Sequence, residues 1–389
     1  MTENNLSILA RNKKLVEIMQ RICTLQEITE DELQVSPVIR DIFESEDVIE
    51  AIGEGKYKIN ITEEELKEAT EIAKDEEIKE EIKRQESKKI GEQKEFLDWV
   101  EVTKDDITEF EQILHNNDAL EYFYPYVCPK VVEMDMQKKV ILLALASHWD
   151  SNGDRWRIHV LMYGGESTGT GKTPLLRWIK EIGGAYAGMR TTKAGLTVNL
   201  KDGSPGLLPR LHHSVVAVDE IDKLSREDRN GLLSSMEEGV VPFDSGDKSG
   251  EYPAETVVIG GANSIDCFTP EQLFRWDFRF EIEQYSIDQA QQIADTISRW
   301  MGKSKRKETE KLVKYLKWVR SREAKISDDV REEGAELIKE YIRRTGNTDI
   351  RRVQSIWRVA RAWARLNNSS VSGEYVAKTI VMLEEHDKD

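Results

Sequence analysis

Cysteine is scarce: Cys23, Cys128 and Cys267 are the only three in 389 residues. They lie far apart and form no Cys-x-x-Cys pair, which argues against a zinc ribbon or a disulfide framework. Each is expected to act as a small buried hydrophobe. Long apolar runs are also missing. No stretch is long enough to span a bilayer and no secretory leader is evident, so the expected setting is cytoplasmic, with no membrane partner. Histidine is rare, at six residues, and the adjacent pair His212-His213 leads into a core-like strand with no carboxylate at metal-ligand spacing. That pair reads as structural. Excess positive charge is absent too. A net charge of −17 argues against a protein that simply coats nucleic acid. The balance is uneven, however: acid concentrates before residue 135, and Arg and Lys over 299–365, which leaves room for a local basic surface.

What is present is organised around Glu166-Ser167-Thr168-Gly169-Thr170-Gly171-Lys172-Thr173. An apolar run, Ile158 to Tyr163, precedes it, and a helix-like stretch from Pro174 follows. Strand, glycine-rich turn and helix start are the context of a phosphate-binding loop. Gly169, Thr170 and Gly171 are expected to turn backbone N–H groups towards phosphate oxygens at a helix N-terminus. Lys172 would neutralise the β- and γ-phosphates of ATP, and Thr173 would hold Mg²⁺ through its hydroxyl. Glu166 stands where the usual pattern begins with glycine, and its carboxylate repels a triphosphate unless it points away.

Further along, Val215-Val216-Ala217-Val218-Asp219-Glu220 reads as a buried parallel strand carrying two acids to its C-terminal edge. Asp219 is expected to hold Mg²⁺ and Glu220 to polarise the attacking water. The next strand, 256–262, ends at Asn263, a polar residue able to orient that water. Between these strands lie a helix over 229–238 and a hairpin with Lys248 near its tip. Lys201 falls in the turn of a weakly patterned insert over 194–213. Arg275 and Arg279 are both candidates to reach a neighbouring subunit's phosphate. From Ile287 onward the chain reads helical, and the Arg residues after Ile350 read as surface charges or as a contact from lid to nucleotide. The aromatic strip Tyr122-Phe123-Tyr124-Pro125-Tyr126 could stack an adenine base, although core packing is the commoner use of such clusters. Residues 1–61 read as three short helices and a hairpin around Gly53-Glu54-Gly55, a winged-helix-like domain. Its candidate third helix is acidic, which favours docking a protein partner over reading DNA. Residues 62–99, dominated by Glu and Lys over much of their length, read as a charged helical linker.

In this order the motifs resemble the AAA+ ATPases and, more narrowly, the MCM (minichromosome maintenance) group. Gly169-Thr170-Gly171-Lys172-Thr173 looks like its Walker A, and Asp219-Glu220-Ile221-Asp222-Lys223-Leu224 like its Walker B run. Ala262-Asn263 is similar to sensor 1. Phe274-Arg275-Trp276-Asp277 looks like Ser-Arg-Phe-Asp, which puts the arginine finger on Arg275. Asp349-Ile350-Arg351 falls where the sensor 2 arginine is expected. The resemblance implies an α/β AAA+ P-loop core with a parallel sheet over 100–285 and an all-α C-terminal lid over 286–389. It also implies an Mg²⁺-dependent ATPase, a helicase in DNA replication, working as a hexameric ring. Lys248 and Lys201 would then be nucleic-acid contacts. Nothing before residue 100 looks like the family's oligonucleotide-binding collar. Two other readings stay open: a protein-remodelling ATPase of the MoxR kind, and a nucleotide-binding regulatory subunit without turnover.

Overall fold

The computed structural model of the chain describes residues 18–19, 21–22, 27–29, 40, 43–44, 48–53, 56–60, 62, 67, 97, 99–147, 150–151, 154–165, 170–188, 193–199, 203–245, 248–300 and 306–387, with main chain alone at 193–194, 227, 245, 248 and 299–300. Contacts divide the chain into two compact units, 1–93 and 94–389.

In the first unit, β1 (Glu27–Thr29), β2 (Ile49–Gly53) and β3 (Lys56–Ile59) form an antiparallel sheet in the order β1-β3-β2. The hairpin expected around Gly53 joins β2 to β3. Gly53 sits at φ 123°, a conformation that costs other residues heavily. Ile28 pairs with Tyr57 across the sheet, and both are buried along with Phe43, Val48 and Ile49. Most of the expected first helices and of the charged linker lie outside the described residues.

The second unit opens with α1 (Lys104–Asn116), α2 (Ala119–Phe123) and α3 (Asp135–Ala146). The nucleotide-loop region follows as β4 (Val160–Tyr163), α4 (Lys172–Glu181), β5 (Ala185–Ala187), α5 (Lys193–Leu196), β6 (Val198–Asn199), β7 (Ser204–Pro205) and α6 (Leu207–Arg210). Then come β8 (Val215–Val218), α7 (Arg226–Glu238), β9 (Val240–Ser245), β10 (Lys248–Pro253), β11 (Val257–Gly261), α8 (Pro270–Leu273) and β12 (Phe278–Glu281). The remainder is helical: α9 (Ile287–Trp300), α10 (Arg306–Arg320), α11 (Asp328–Thr345), α12 (Ile350–Leu366) and α13 (Gly373–His386). Among the described residues no helix is long and apolar enough to cross a membrane.

Five strands make one parallel sheet in the order β12-β4-β11-β8-β5. Its central strands are apolar on both faces, as a covered parallel sheet requires. Val215 and Ala217 of β8 join Leu175, Leu176 and Ile179 of α4 in one core. Val216 and Val218 join Leu232, Leu233 and Met236 of α7 in the other. The strand's period of two sorts them. The described residues of the 194–213 insert include the short ladder β6–β7 between α5 and α6.

The lid helices pack against α1 and α2 through aromatic rings. Phe110 lies 5.1 Å and Phe123 3.9 Å from Tyr315, centroid to centroid. This packs the aromatic strip against the core: Phe123 is buried, and Tyr122, stacked on Tyr126 beside α10, is half-buried. The arginines of α12 are likewise mostly interior: Arg358, Arg361 and Arg365 are buried. Asp277 gathers this polar interior. Its carboxylate accepts from Ser355 Oγ at 2.6 Å and from the His159 N–H at 2.8 Å, and pairs with Arg358 and Arg155. Burial alone would push the Asp277 carboxyl up; the two guanidinium groups outweigh it and hold it well below the usual range.

The carboxylate that sequence spacing did not place beside His212-His213 is Glu255. Its Oε2 lies 3.1 Å from His213 Nε2, and its N–H donates to His212 Nδ1 at 3.2 Å. His212 thereby spends a lone pair on the backbone, and the positive charges of Arg157 and Arg320 act on this corner. It is a structural junction at the start of β8.

Candidate nucleotide site

In a parallel sheet, the C-terminal strand edge is where ligands bind, because loops and helix N-termini converge there. β4 runs out through Gly164 and Gly165, at φ 91° and 61°. Residues 166–169 lie outside the described residues, and Glu166 and Gly169 with them. Thr170 and Gly171 re-enter the description at the head of α4. Gly171 has φ 84°, and a Cβ there would meet Tyr285 Oη at 3.0 Å and Met134 Sδ at 3.1 Å. The position therefore needs glycine for conformation and for space. Tyr285 also donates its O–H to the Thr170 carbonyl at 3.1 Å, fastening the loop to the entry of α9.

Lys172 is buried, with Nζ donating to the Ala262 carbonyl at 3.1 Å and to the Gly164 carbonyl. The ammonium thus sits between the ends of β4 and β11. Burial pushes its pKa down, against the pull of Asp219 and Asp222. Thr173 Oγ1 donates to Asp219 Oδ2 at 3.0 Å, so the two expected metal-binding groups meet. Asp219 Oδ1 accepts the Glu220 N–H at 3.0 Å. Glu220 has φ 56°, a left-handed conformation that costs a non-glycine residue, and its carboxylate pairs with Lys223. The Asn263 N–H donates to Asp222 Oδ1 at 3.2 Å. Lys172, Thr173, Asp219, Glu220 and Asn263 line one cavity of about 710 Å³, whose apolar part is Val131, Val132, Ile293 and Ile297.

Arg275 and Arg351 stand elsewhere. Neither lines this cavity; both contact Glu237 at the end of α7. Arg275 Nε is 2.7 Å from Glu237 Oε2, and Arg351 Nη2 is 2.8 Å from Oε1. Arg351 borders a separate cleft of about 560 Å³ with Asp154, Arg155 and Trp357. The backbone of Lys248 opens β10 opposite Ser245, so it sits at the tip of the β9–β10 hairpin. Lys201 lies outside the described residues.

Sequence reasoning missed two polar partners at these sites. Glu237 carries no signal, since an acid at a helix end is ordinary. Tyr186, whose O–H donates to Asp219 Oδ2 at 2.9 Å, is visible only once β5 is aligned with β8, Tyr186 opposite Ala217.

A fifth-first-fourth-third-second parallel order, with Gly-Lys-Thr after the first strand and Asp-Glu after the third, defines a nucleotide-binding P-loop core. The MCM P-loop domain family matches residues 106–282, so this part of the chain is an MCM-like P-loop domain. It is similar to an uncharacterized MCM-type protein of Methanocaldococcus jannaschii, 24% identical over 330 residues that cover 72% of this chain and 47% of the relative. It is also similar to the maternal DNA replication licensing factor mcm3 of Xenopus laevis, 28% identical over 216 residues, 48% of this chain and 26% of the relative. The DNA replication licensing factor Mcm3 of Drosophila melanogaster is 27% identical over 183 residues, 43% of this chain and 22% of the relative. The chain thus aligns with about half or less of the length of these relatives.

Proposed function

We propose that this protein hydrolyses ATP between the subunits of a homo-oligomeric, hexameric ring and uses the cycle to move or remodel DNA in replication. The observation that carries the reading is the division of the machinery. Lys172, Thr173, Asp219, Glu220 and Asn263 converge on one cavity, while Arg275 and Arg351 are collected on another face. A site missing its guanidinium groups is completed by a neighbour that offers them.

The donor set fits Mg²⁺: a hydroxyl and a carboxylate 3.0 Å apart are hard oxygen ligands of the kind that ion takes beside phosphates. Bound there, Mg²⁺ would supply charge to the phosphate oxygens. The other roles fall to side chains of this chain. Lys172 binds and orients the terminal phosphates. Glu220 accepts a proton from the water whose oxygen attacks the γ-phosphorus, as the bond to the β-bridging oxygen breaks and ADP leaves. Asn263 orients that water. Arg275 and Arg351 of the adjacent subunit stabilise the developing charge. Lys248, on its hairpin, with Lys201 in the insert, contacts the DNA backbone. The names of the mcm3 relatives support the replication setting.

A second reading, a protein-remodelling ATPase, is favoured by the net charge of −17. ATP turnover measured with and without DNA separates the two. The DNA reading expects stimulation that falls as salt rises, and that weakens in Lys248→Ala. Robust turnover with no DNA binding even at low salt would remove it in favour of the second reading. Glu220→Gln should bind ATP normally and turn it over about 10²–10⁴ times more slowly. If the unaltered chain binds nucleotide without turnover, and Glu220→Gln changes nothing, the protein is a regulatory subunit.

A further inference from the structure

Asp219 is tied down more heavily than a metal-binding carboxylate at a strand end requires. Its backbone N–H donates to the Ala187 carbonyl at 2.8 Å, extending the β5–β8 ladder by one residue. One carboxylate oxygen accepts the Glu220 N–H. The other accepts two hydroxyls, Thr173 Oγ1 at 3.0 Å and Tyr186 Oη at 2.9 Å. Thr173 belongs to the phosphate loop. Tyr186 belongs to the neighbouring strand and lines no part of the nucleotide cavity. Its ring is half-buried, packed against the core, with the Arg177 guanidinium 5.8 Å from its centroid.

We propose that Tyr186 is a positioning residue: its phenol fixes the rotation of the Asp219 carboxylate so that one face meets the divalent cation that accompanies the nucleotide. The inference rests on the nucleotide-site reading above. The argument is one of degrees of freedom. A carboxylate at the end of a strand can turn about its Cα–Cβ and Cβ–Cγ bonds. The Glu220 N–H restrains one oxygen, and the Thr173 hydroxyl is itself a ligand candidate whose lone pairs are wanted elsewhere. Tyr186 is the donor with no competing task, and its ring is already immobilised by packing. Orienting partners of this kind typically alter metal affinity by about 10- to 100-fold.

The test is Tyr186→Phe, which keeps the ring and removes the one oxygen. A fluorescent ATP analogue is titrated onto the full chain in EDTA and then across a Mg²⁺ series. The expected result is unchanged affinity in EDTA, which also reports an intact fold, and a rise of about tenfold in the half-saturating Mg²⁺ concentration. Thr173→Ala, which removes a ligand, should raise it further. If the unaltered chain responds to Mg²⁺ and Tyr186→Phe follows the same curve, the positioning role is wrong while the nucleotide site stands. If affinity falls equally in EDTA and in Mg²⁺, Tyr186 serves packing alone, and the proposal is again overturned. A chain whose nucleotide binding ignores Mg²⁺ altogether sinks the nucleotide-site reading and this inference with it.

Discussion

Glu237 and Arg351 form an ion pair at 2.8 Å, and Arg275 reaches the same carboxylate from the other side at 2.7 Å. All three groups are more than a quarter exposed, so the pairing adds little to stability. Its effect is spatial: two guanidinium groups from distant segments share one face, with one net positive charge left over. The expected consequence is complementation. Lys172→Ala and Arg275→Ala should each abolish turnover, the latter by about 10³-fold or more. Mixing the two variants should restore a fraction of it, because some interfaces then join an intact phosphate loop to an intact arginine. Steady-state ATPase on the mixture reads this directly. A mixture no more active than its components would mean that Arg275 does not act between chains.

The loop and its acids were legible because chemistry demands particular residues at short spacing. Gly171-Lys172-Thr173 and Asp219-Glu220 each sit after an apolar run, and the strands deliver them to one edge. Partnerships that depend on which strands become neighbours were not legible. Tyr186 meets Asp219 only because β5 lies beside β8, and Glu255 meets His213 across 42 residues of sequence. The arginines after Ile350 are illegible for a different reason. Alone, such a residue reads as surface charge, since burying it is costly. Arg358 can be interior because Asp277, 81 positions earlier, supplies the opposite charge. The aromatic strip over 122–126 carried two valid readings, and only the docking of α10 decides between them.

Asp277 makes a prediction about acid stability. Its carboxyl is held well below its unfolded value of about 3.9, so the unfolded chain binds the proton first as pH falls. Its contribution is fully present above about pH 5 and is lost as pH drops through and below about 4. Asp277→Asn keeps the shape but leaves the buried Arg358 and the half-buried Arg155 without their partner. Urea unfolding at pH 7 should then show a loss of about 3–5 kcal/mol. The variant's stability should also fall less steeply than the parent's between pH 5 and 3. Parallel acid limbs would mean that another carboxylate carries the effect.

Gly334, in α11, tests how closely the lid is packed. In an exposed helix, Gly→Ala stabilises by about 0.5–1 kcal/mol, because glycine gives up more conformational freedom on folding. Here the backbone is ordinary and buried, and a Cβ would stand 2.4 Å from one ring carbon of Trp357 and 2.8 Å from another. That indole belongs to α12, the helix that also carries Arg351 and Arg358. Relief requires moving a rigid ring, and overpacking of this kind typically costs about 1–3 kcal/mol. The clash should therefore outweigh the entropic gain, and Gly334→Ala should lower the denaturation midpoint. If the lid yields by shifting α12, Arg351 shifts with it and ATP turnover falls while nucleotide affinity in the cavity is kept. A variant as stable as the parent or more so would show that α11 and α12 sit further apart than this contact implies.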